Sequence, residues 1–598
     1  MRGAMNSSSS LADRAGLARP AAGIAASSAG TLPGRAATTA LFLLGMALMF
    51  NPILWDGLGR SIGDSGDGLI LLATLEHWFR LAEGHTITGV WNQIGSFYPT
   101  PDTLGMTDTY FLYAIPFSLL RALGVGTFAA YNVTIALLAT IGYWSFYALT
   151  RRWAGAPAAL AAIPAFIFAF GAMPMFKIGH AQTYSVMLAP ALGLLLLAAW
   201  RDGPARPRLA AAAAAGLLYA LMVFTAAQTP WFLGVVCGLV AVLWYAQARP
   251  ALMPLLRPRL WPAAAFLAGF VIGFIPSALL YLRHASATPL RPFNDLKYYL
   301  PVPTDILQVP PGNLLWFGLL HQLGISDKPG RPLSELALGY TPFFVLTVAA
   351  LVLLLGVAAR TTARRDRWDA IARACLGAAV ICWLMQLNYW GTRPWWLVWR
   401  LVPGGAMIRT PFRIQLATLF FMCLALAHAA TRMLEAGRVA AAGPAAGFNR
   451  RLGGPAGALM LLGGALALSV IEQFGPGAGM RRTTEVTSWL DHARPPPFPC
   501  QAFYVVPLSG SHLQWYEDQS DAMMLAQRIG IPTLNGNSSW WPPGWSLMDP
   551  AAPDYPKHVL DWIRLNHLQG RVCGVDPRAG RWVPGEQALR PATEKSPP

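Results

Sequence analysis

Residues 37–55 read ATTALFLLGMALMFNPILW, and this run, which has no charged residue, decides the fold. A helix of about 20 apolar residues crosses a bilayer core, so the run predicts a transmembrane helix. Residues 1–36, rich in Ser, Ala and Gly, predict a disordered cytosolic segment. A cleaved signal peptide is the alternative. Its apolar region is shorter, about 7–15 residues, and ends in small residues, whereas this run ends in Asn51-Pro52-Ile53-Leu54-Trp55.

Ten further apolar runs follow the first, which gives about eleven spans. They lie near residues 127–149, 157–176, 182–200, 209–227, 230–247, 259–281, 339–358, 369–388, 411–431 and 453–473. The composition agrees, because 55% of the residues are hydrophobic and only 12% are charged, about half the share of a soluble protein. This excludes a soluble nucleic-acid-binding protein despite the formal net charge of +17, and no nucleic-acid partner is expected.

The arginines predict the orientation. If the spans alternate, every arginine-dense short loop falls on one side, which the positive-inside rule assigns to the cytosol. These loops contain Arg151 and Arg152; Arg201, Arg206 and Arg208; Arg249, Arg257 and Arg259; Arg360, Arg364, Arg365 and Arg367; and Arg432, Arg438, Arg450 and Arg451. We therefore expect a multi-pass protein of a bacterial inner membrane with a cytosolic N-terminus. The outward segments are residues 56–126 (loop one below), residues 282–338 and residues 475–598 (the tail below).

The domain prediction follows: a disordered 1–36, a mainly α transmembrane bundle over 37–474, and a small periplasmic α/β domain over 475–598. In the tail, 501–506 and 571–575 are typical of strands, and 518–529 and 555–568 of helices. Cys500 and Cys573 lie beside the two strands, while the other four cysteines lie inside apolar runs. An oxidising periplasm favours a disulfide between the two tail cysteines; two buried thiols are the alternative.

Loop one contains the densest group of acids. The sequence lacks a phosphate-binding Gly-rich loop, a His-Glu-x-x-His motif, a paired Cys-x-x-Cys and a Gly-x-Ser-x-Gly elbow. The candidate functional residues are therefore the polar residues at the outer ends of the spans. Asp64 and Asp67 lie on a Gly-containing turn, where carboxylates can deprotonate a hydroxyl or bind a divalent cation. The alternative is a solvated turn with Asp67 as helix N-cap. Downstream, Asp102 and Asp108 are further loop acids, and Asp108 is the third candidate base. Residues 69–81 predict an amphipathic helix at the membrane interface.

Two basic groups lie at the same outer edge. Lys177 and His180, at the end of the third span, suit a phosphate, with snorkelling and capping as the alternative. Arg409 and Arg413 bracket a proline at the start of the tenth span, and their spacing predicts that both face one side of a helix start. Arginines grip phosphate oxygens; interfacial anchoring is the alternative.

Several short motifs resemble the GT-C superfamily of membrane glycosyltransferases, and more closely bacterial GT-C-like proteins related to YfhO-type and dolichyl-phosphate-mannose-type transferases. The pieces are Gly66-Asp67-Gly68-Leu69, Ala130-Tyr131-Asn132, Gly179-His180, Arg409-Thr-Pro-Phe-Arg413, Leu534-Asn535-Gly536 and Pro542-Pro543-Gly544. Each piece is short, and their order along the chain carries more weight than any one of them. The paired Asp-Glu motif of the protein O-mannosyltransferases is absent.

The resemblance implies transfer of a sugar from a polyprenyl-phosphate donor to a glycan, lipid or protein acceptor on the periplasmic face. It implies that a loop-one acid activates the acceptor or binds metal, with Asp67 the best match and Asp64 the second. The leaving phosphate would then meet Arg409, Arg413, His180 or Lys177. The other classes left open are a transporter or flippase for a lipid-linked glycan and a non-catalytic assembly factor.

Overall fold

The structure is a computed structural model and describes residues 32–56, 59–64, 66–287, 292–309, 312–325, 340–361, 367–442, 455–475, 480–507 and 514–589. The disorder expected for residues 1–36 falls almost entirely outside these ranges. The helices are α1 Leu32–Trp55, α2 Asp67–Ala82, α3 Phe111–Ala122, α4 Thr127–Trp153, α5 Ala158–Phe170, α6 Ala172–Lys177, α7 Ala189–Trp200, α8 Ala205–Thr225, α9 Gln228–Ala248, α10 Leu252–Leu256, α11 Leu260–Ala287, α12 Phe317–Gln322, α13 Pro342–Thr361, α14 Arg367–Gln386, α15 Trp395–Leu401, α16 Ile414–Ala442, α17 Pro455–Ile471, α18 Thr484–Leu490, α19 Trp515–Ile529 and α20 Tyr555–Leu565.

The predicted helical membrane bundle is confirmed. Within the described residues, nine helices are long and apolar enough to cross a membrane, which makes the chain a multi-pass membrane protein. The other two expected spans coincide with α13 and α17, whose described apolar parts, Pro342–Leu355 and Gly457–Ile471, are shorter. Neighbouring helices pack closely, for example α8 on α11 and α14 on α16.

Loop one is more ordered and more buried than the sequence predicted. Its expected amphipathic helix is α2, but residues 68–77 are all buried, because α19 of the tail and α3 of loop one pack against it. It is therefore an interior helix rather than one that lies flat on a membrane. The 12-residue α3 is apolar but too short to span a bilayer.

The tail contributes most of an α/β unit. Its strands are β2 Met480–Arg482, β3 Ala502–Val505, β4 Val572–Asp576 and β5 Arg581–Pro584, and loop one supplies β1 Arg60–Ile62. Strand β3 pairs in parallel with β4, which pairs antiparallel with β5, while β1 pairs antiparallel with β2. The two helices and two strands expected in the tail lie at α19, α20, β3 and β4.

Loop one and the tail share a core and a hydrogen-bonded seam. The Phe97 amide donates to the Asn535 carbonyl at 3.1 Å, and the Tyr98 amide donates to the Thr533 carbonyl at 2.9 Å. The Phe97 ring is buried against Trp545, with ring centroids 5.0 Å apart. A disulfide joins Cys500, two residues before β3, to Cys573 in β4. The α/β unit therefore includes residues of loop one, and the boundary at 475 stays a prediction.

Candidate functional site

Asp67 is the first residue of α2, and its carboxylate faces residues that follow α6. His180 Nδ1 lies 2.8 Å from Asp67 Oδ2, and Gln182 Nε2 donates to the same oxygen at 3.4 Å. Desolvation raises the pKa of Asp67, but the hydrogen bond from His180, the charges of His180 and Arg413 and the hydrogen bond from Gln182 outweigh it, so the pKa lies below its ordinary value. The carboxylate is therefore held ionised, and its side chain stays 41% exposed.

Asp64, and not Asp67, satisfies the start of α2. Its Oδ1 accepts hydrogen bonds from the Gly66 amide at 3.1 Å and the Gly68 amide at 3.0 Å. Desolvation by the surrounding protein and the charge of Asp67 raise the pKa of Asp64 against the effect of these amides. Because Asp64 does the work of a helix cap, the alternative that made Asp67 the N-cap is wrong.

Asp108 joins the site from just before α3. Burial raises the pKa of Asp108 to about 6; the Arg413 charge and a hydrogen bond from the Ala227 amide lower it, and the charge of Asp67 adds to the rise. Asp67 and Asp108 therefore lie in the field of one guanidinium. Asp102 accepts a hydrogen bond from Asn92 elsewhere in loop one.

Arg413 is the cation whose charge acts on both Asp67 and Asp108. It is 8% exposed, and its Nη1 donates to Gln228 Oε1 at 3.4 Å. Gln228 Nε2 in turn donates to Thr410 Oγ1 at 2.8 Å, so a polar bridge from the start of α9 orients the guanidinium. The structure thus brings together Asp67, Asp108, His180 and Arg413, four of the residues singled out in the sequence.

The expectation that Arg409 and Arg413 face one side of a helix start is wrong, whereas their role in phosphate binding stays a prediction. Residues 411–413 form a short 3-10 turn, and α16 begins only at Ile414, so the four-residue helical spacing does not apply to them. Arg413 points into the buried cluster, while Arg409 is exposed with its guanidinium 5.3 Å from the Tyr299 ring centroid.

Lys177 lies beside the site, next to Phe412. It is 4% exposed, and its Nζ lies 4.5 Å from the Phe412 ring centroid and 5.1 Å from that of Phe176. Phe412 directly precedes Arg413, so the lysine adds a second positive charge to the same part of the site. Its burial excludes the expected snorkelling alternative.

The residues do not fit a metal centre. Among the described residues, no group of three or more His, Cys, Asp or Glu side chains is close enough to hold a metal ion. Asp64 and Asp67, the candidate ligands, instead accept hydrogen bonds from amides and from His180. The transfer proposed below therefore uses no divalent cation.

The site also includes two glutamines, Gln182 and Gln228, that were not singled out as site residues in the sequence. Gln182 and Gln228 are neutral and lie in apolar runs or at their ends, so they lack the charge that drew attention to the other residues. The signal that could have found Gln228 is its position in the tight outward turn Gln228-Thr229-Pro230 between two apolar runs.

Fold and site together define a multi-pass membrane protein with a carboxylate-rich site at the ends of its apolar helices. No protein-family model matches the chain, and no curated protein matches it. Solved structures are similar. ArnT from Cupriavidus metallidurans in the apo state is 14% identical over 84% of each chain, with a TM-score of 0.40. The same protein bound to undecaprenyl phosphate is 12% identical over 84% of this chain and 85% of that one, also with a TM-score of 0.40.

An oligosaccharyltransferase from Archaeoglobus fulgidus, tethered with an acceptor peptide, is also similar. It is 13% identical over 84% of this chain and 64% of that chain, with a TM-score of 0.44. By its name it transfers sugars, as do the GT-C enzymes that the sequence motifs resemble. Similarity at this level assigns no role to any residue, so function is argued from the site itself.

Proposed function

We propose that the chain is a membrane glycosyltransferase that moves a sugar from a polyprenyl-phosphate donor to a cell-envelope acceptor. The observation that carries the proposal is the contact of Asp67 with His180 beside the buried cation Arg413. An ionised, oriented carboxylate next to a guanidinium is what such a transfer needs: a proton acceptor for the attacking hydroxyl and a positive charge for the departing phosphate.

The chemistry balances with these groups alone. Asp67 takes the proton of the acceptor hydroxyl while that oxygen forms a bond to the anomeric carbon of the donor. The bond from the anomeric carbon to the phosphate oxygen breaks, and polyprenyl phosphate leaves with the bonding electron pair. Arg413 and Lys177 stabilise the charge of the leaving phosphate, and Asp67 returns its proton to solvent.

The environment of the site favours a lipid-linked donor. Lys177 ends the candidate membrane span Ala158–Lys177, and Arg413 lies near the start of the candidate span Pro411–Gly437. A phosphate at this depth would have its polyprenyl chain alongside apolar helices and its sugar towards loop one. We place loop one, residues 282–338 and the tail on the periplasmic face of a bacterial inner membrane and the N-terminus in the cytosol. The tail is then the periplasmic α/β part.

Release of polyprenyl phosphate by the purified protein in lipid nanodiscs tests the proposal. We expect wild-type protein to release it from at least one polyprenyl-phosphate sugar when an acceptor extract is present. The variant Asp67→Asn is expected to keep donor binding but to lose about 100-fold or more in transfer, as for a lost general base. Asp56→Asn is the matched control, because Asp56 is also in loop one but makes only an exposed ion pair with Arg60.

The same assay separates the rival classes. A flippase or an assembly factor would bind the lipid-linked sugar and release no polyprenyl phosphate with any donor. Wild-type turnover by Asp67→Asn would remove Asp67 as the base and leave Asp108, then Asp64, as the acids to test.

A further inference from the structure

The first turn of α19 lies over the acidic turn of loop one. A methyl group added at Gly66 would lie 2.8 Å from Cδ2 of Tyr516, so the tyrosine ring packs directly on the backbone between Asp64 and Asp67. Ser520, one turn further along α19, donates to the Gly66 carbonyl at 3.4 Å. The tail therefore supplies one wall of the site.

Tyr516 lies close to both acids of this turn. Burial raises the pKa of Tyr516, followed by the charges of Glu517, Asp64 and Asp67. Asp67 thus lies near a cation, Arg413, which suits phosphate, and near an aromatic side formed by the tail.

The aromatic side is a corner made of two rings. Trp515 and Tyr516 are both half-buried, their ring centroids are 5.8 Å apart, and the planes meet at 82°. Ring faces set at a right angle present a large apolar area with little rotamer freedom. The apolar C–H face of a sugar can pack against such rings, and its hydroxyls can then hydrogen-bond to the Tyr516 hydroxyl and to the carboxylates of Asp64 and Asp67.

We propose that Trp515 and Tyr516 form the acceptor subsite and that the acceptor is a carbohydrate. The inference rests on the proposed function and adds the acceptor class to it. A sugar held on these rings would present a hydroxyl to Asp67, near Arg413. Tyr516 would position the acceptor, and the proton transfer would remain with Asp67.

Binding of small sugars tests the subsite without any turnover. The probes are the methyl glycosides of glucose, galactose, mannose, rhamnose and arabinose, measured by saturation-transfer NMR on the full chain in nanodiscs. We expect at least one to bind wild-type protein. Its affinity should fall about 10-fold in Trp515→Ala and Tyr516→Ala, which lose an aromatic face, and about 3- to 10-fold in Tyr516→Phe, which loses only a hydrogen bond.

Binding of polyprenyl phosphate is the paired measurement. It should be unchanged in Tyr516→Phe and Trp515→Ala, and Arg413→Ala should leave the binding of the methyl glycosides unchanged. Three results would overturn the subsite. The first is that no methyl glycoside binds wild-type protein, and the second is that binding of the methyl glycosides is unchanged in all the aromatic variants. The third is that the alanine variants lose both the methyl glycosides and polyprenyl phosphate while Tyr516→Phe behaves as wild type, as expected of a purely structural ring. Sugar binding that depends on Tyr516 in a protein that releases no polyprenyl phosphate would refute the transferase and retain the subsite.

Discussion

Replacement of His180 by alanine should move the pH dependence of transfer in a calculable direction. His180 contacts Asp67 at 2.8 Å and is the strongest of the groups that lower the pKa of Asp67. A hydrogen bond to a charged group contributes about 1.5–3 kcal/mol, and the loss of this one raises the pKa of Asp67. Because the Asp67 side chain is 41% exposed, screening by solvent favours the lower end of that range.

The direction in which the pH profile shifts follows from which protonation state of Asp67 is active. A general base acts as the ionised carboxylate, so activity is lost as the pH falls through its pKa. In wild-type protein the pKa of Asp67 lies below the ordinary value of about 4, and kcat/KM should stay flat from pH 8 to pH 5. In His180→Ala desolvation is opposed only by Arg413 and Gln182, so the pKa of Asp67 rises and the acid limb should lie at a higher pH than in wild-type protein. At pH 7.5 the carboxylate is ionised in both proteins.

Initial rates of polyprenyl phosphate release between pH 4.5 and 8 provide the measurement. His180→Gln is the matched variant, because its amide can still donate to Asp67 but carries no charge, and it should show a smaller shift. A wild-type acid limb near pH 6 that Asp108→Asn removes would refute the reasoning, since burial raises the pKa of Asp108 to about 6 and that limb would identify Asp108 as the base. An unchanged profile in His180→Ala would refute the role of the contact.

Three further predictions concern the cations, the tail and the topology. Arg413→Ala should weaken polyprenyl phosphate binding about 10- to 100-fold in a titration, since it removes a charge-assisted contact, whereas the exposed Arg409→Ala should cost about 2-fold or less; equal losses would contradict the separate placement of the two arginines. Replacement of Cys500 and Cys573 together by alanine should lower the free energy of unfolding of the tail by ~2–4 kcal/mol, measured by limited proteolysis in denaturant, and an unchanged profile would count against a stabilising cross-link. A fluorescent protein that folds only in the cytosol should stay dark when fused after Pro598, and a bright fusion would reverse the orientation.

The membrane helices could be located from the sequence because the bilayer imposes a local requirement. Each span needs a continuous apolar run whose backbone bonds to itself, so length and composition suffice without knowledge of neighbours. The elements of the tail were also local patterns, and α19 and α20 lie where the periodicity predicted. The burial of α2 could not be predicted from its local sequence, because its apolar face indicates only that another element covers it. One such element is α19, over 400 residues away.

The acids of loop one, the histidine and the arginines were visible in the sequence as polar residues at the ends of apolar runs. Their partnership was not, because Asp67 and His180 are 113 positions apart and no periodicity links two separate turns. The expectation that Arg409 and Arg413 face one side of a helix failed for the same reason. Helical spacing brings two side chains together only if the backbone between them is an α-helix, and residues 411–413 form a 3-10 turn.

The sequence by itself determined the kind of protein, its spans and the list of charged residues from which a site could be built. Tertiary structure alone decided that Asp67 is oriented by His180 and Gln182, that Asp64 accepts the amides at the start of the helix, and that Tyr516 of the tail packs on Gly66. The physical reason is that desolvation and charge–charge interactions depend on distances through space. Those distances are set by how helices and loops pack, and not by the order of residues along the chain.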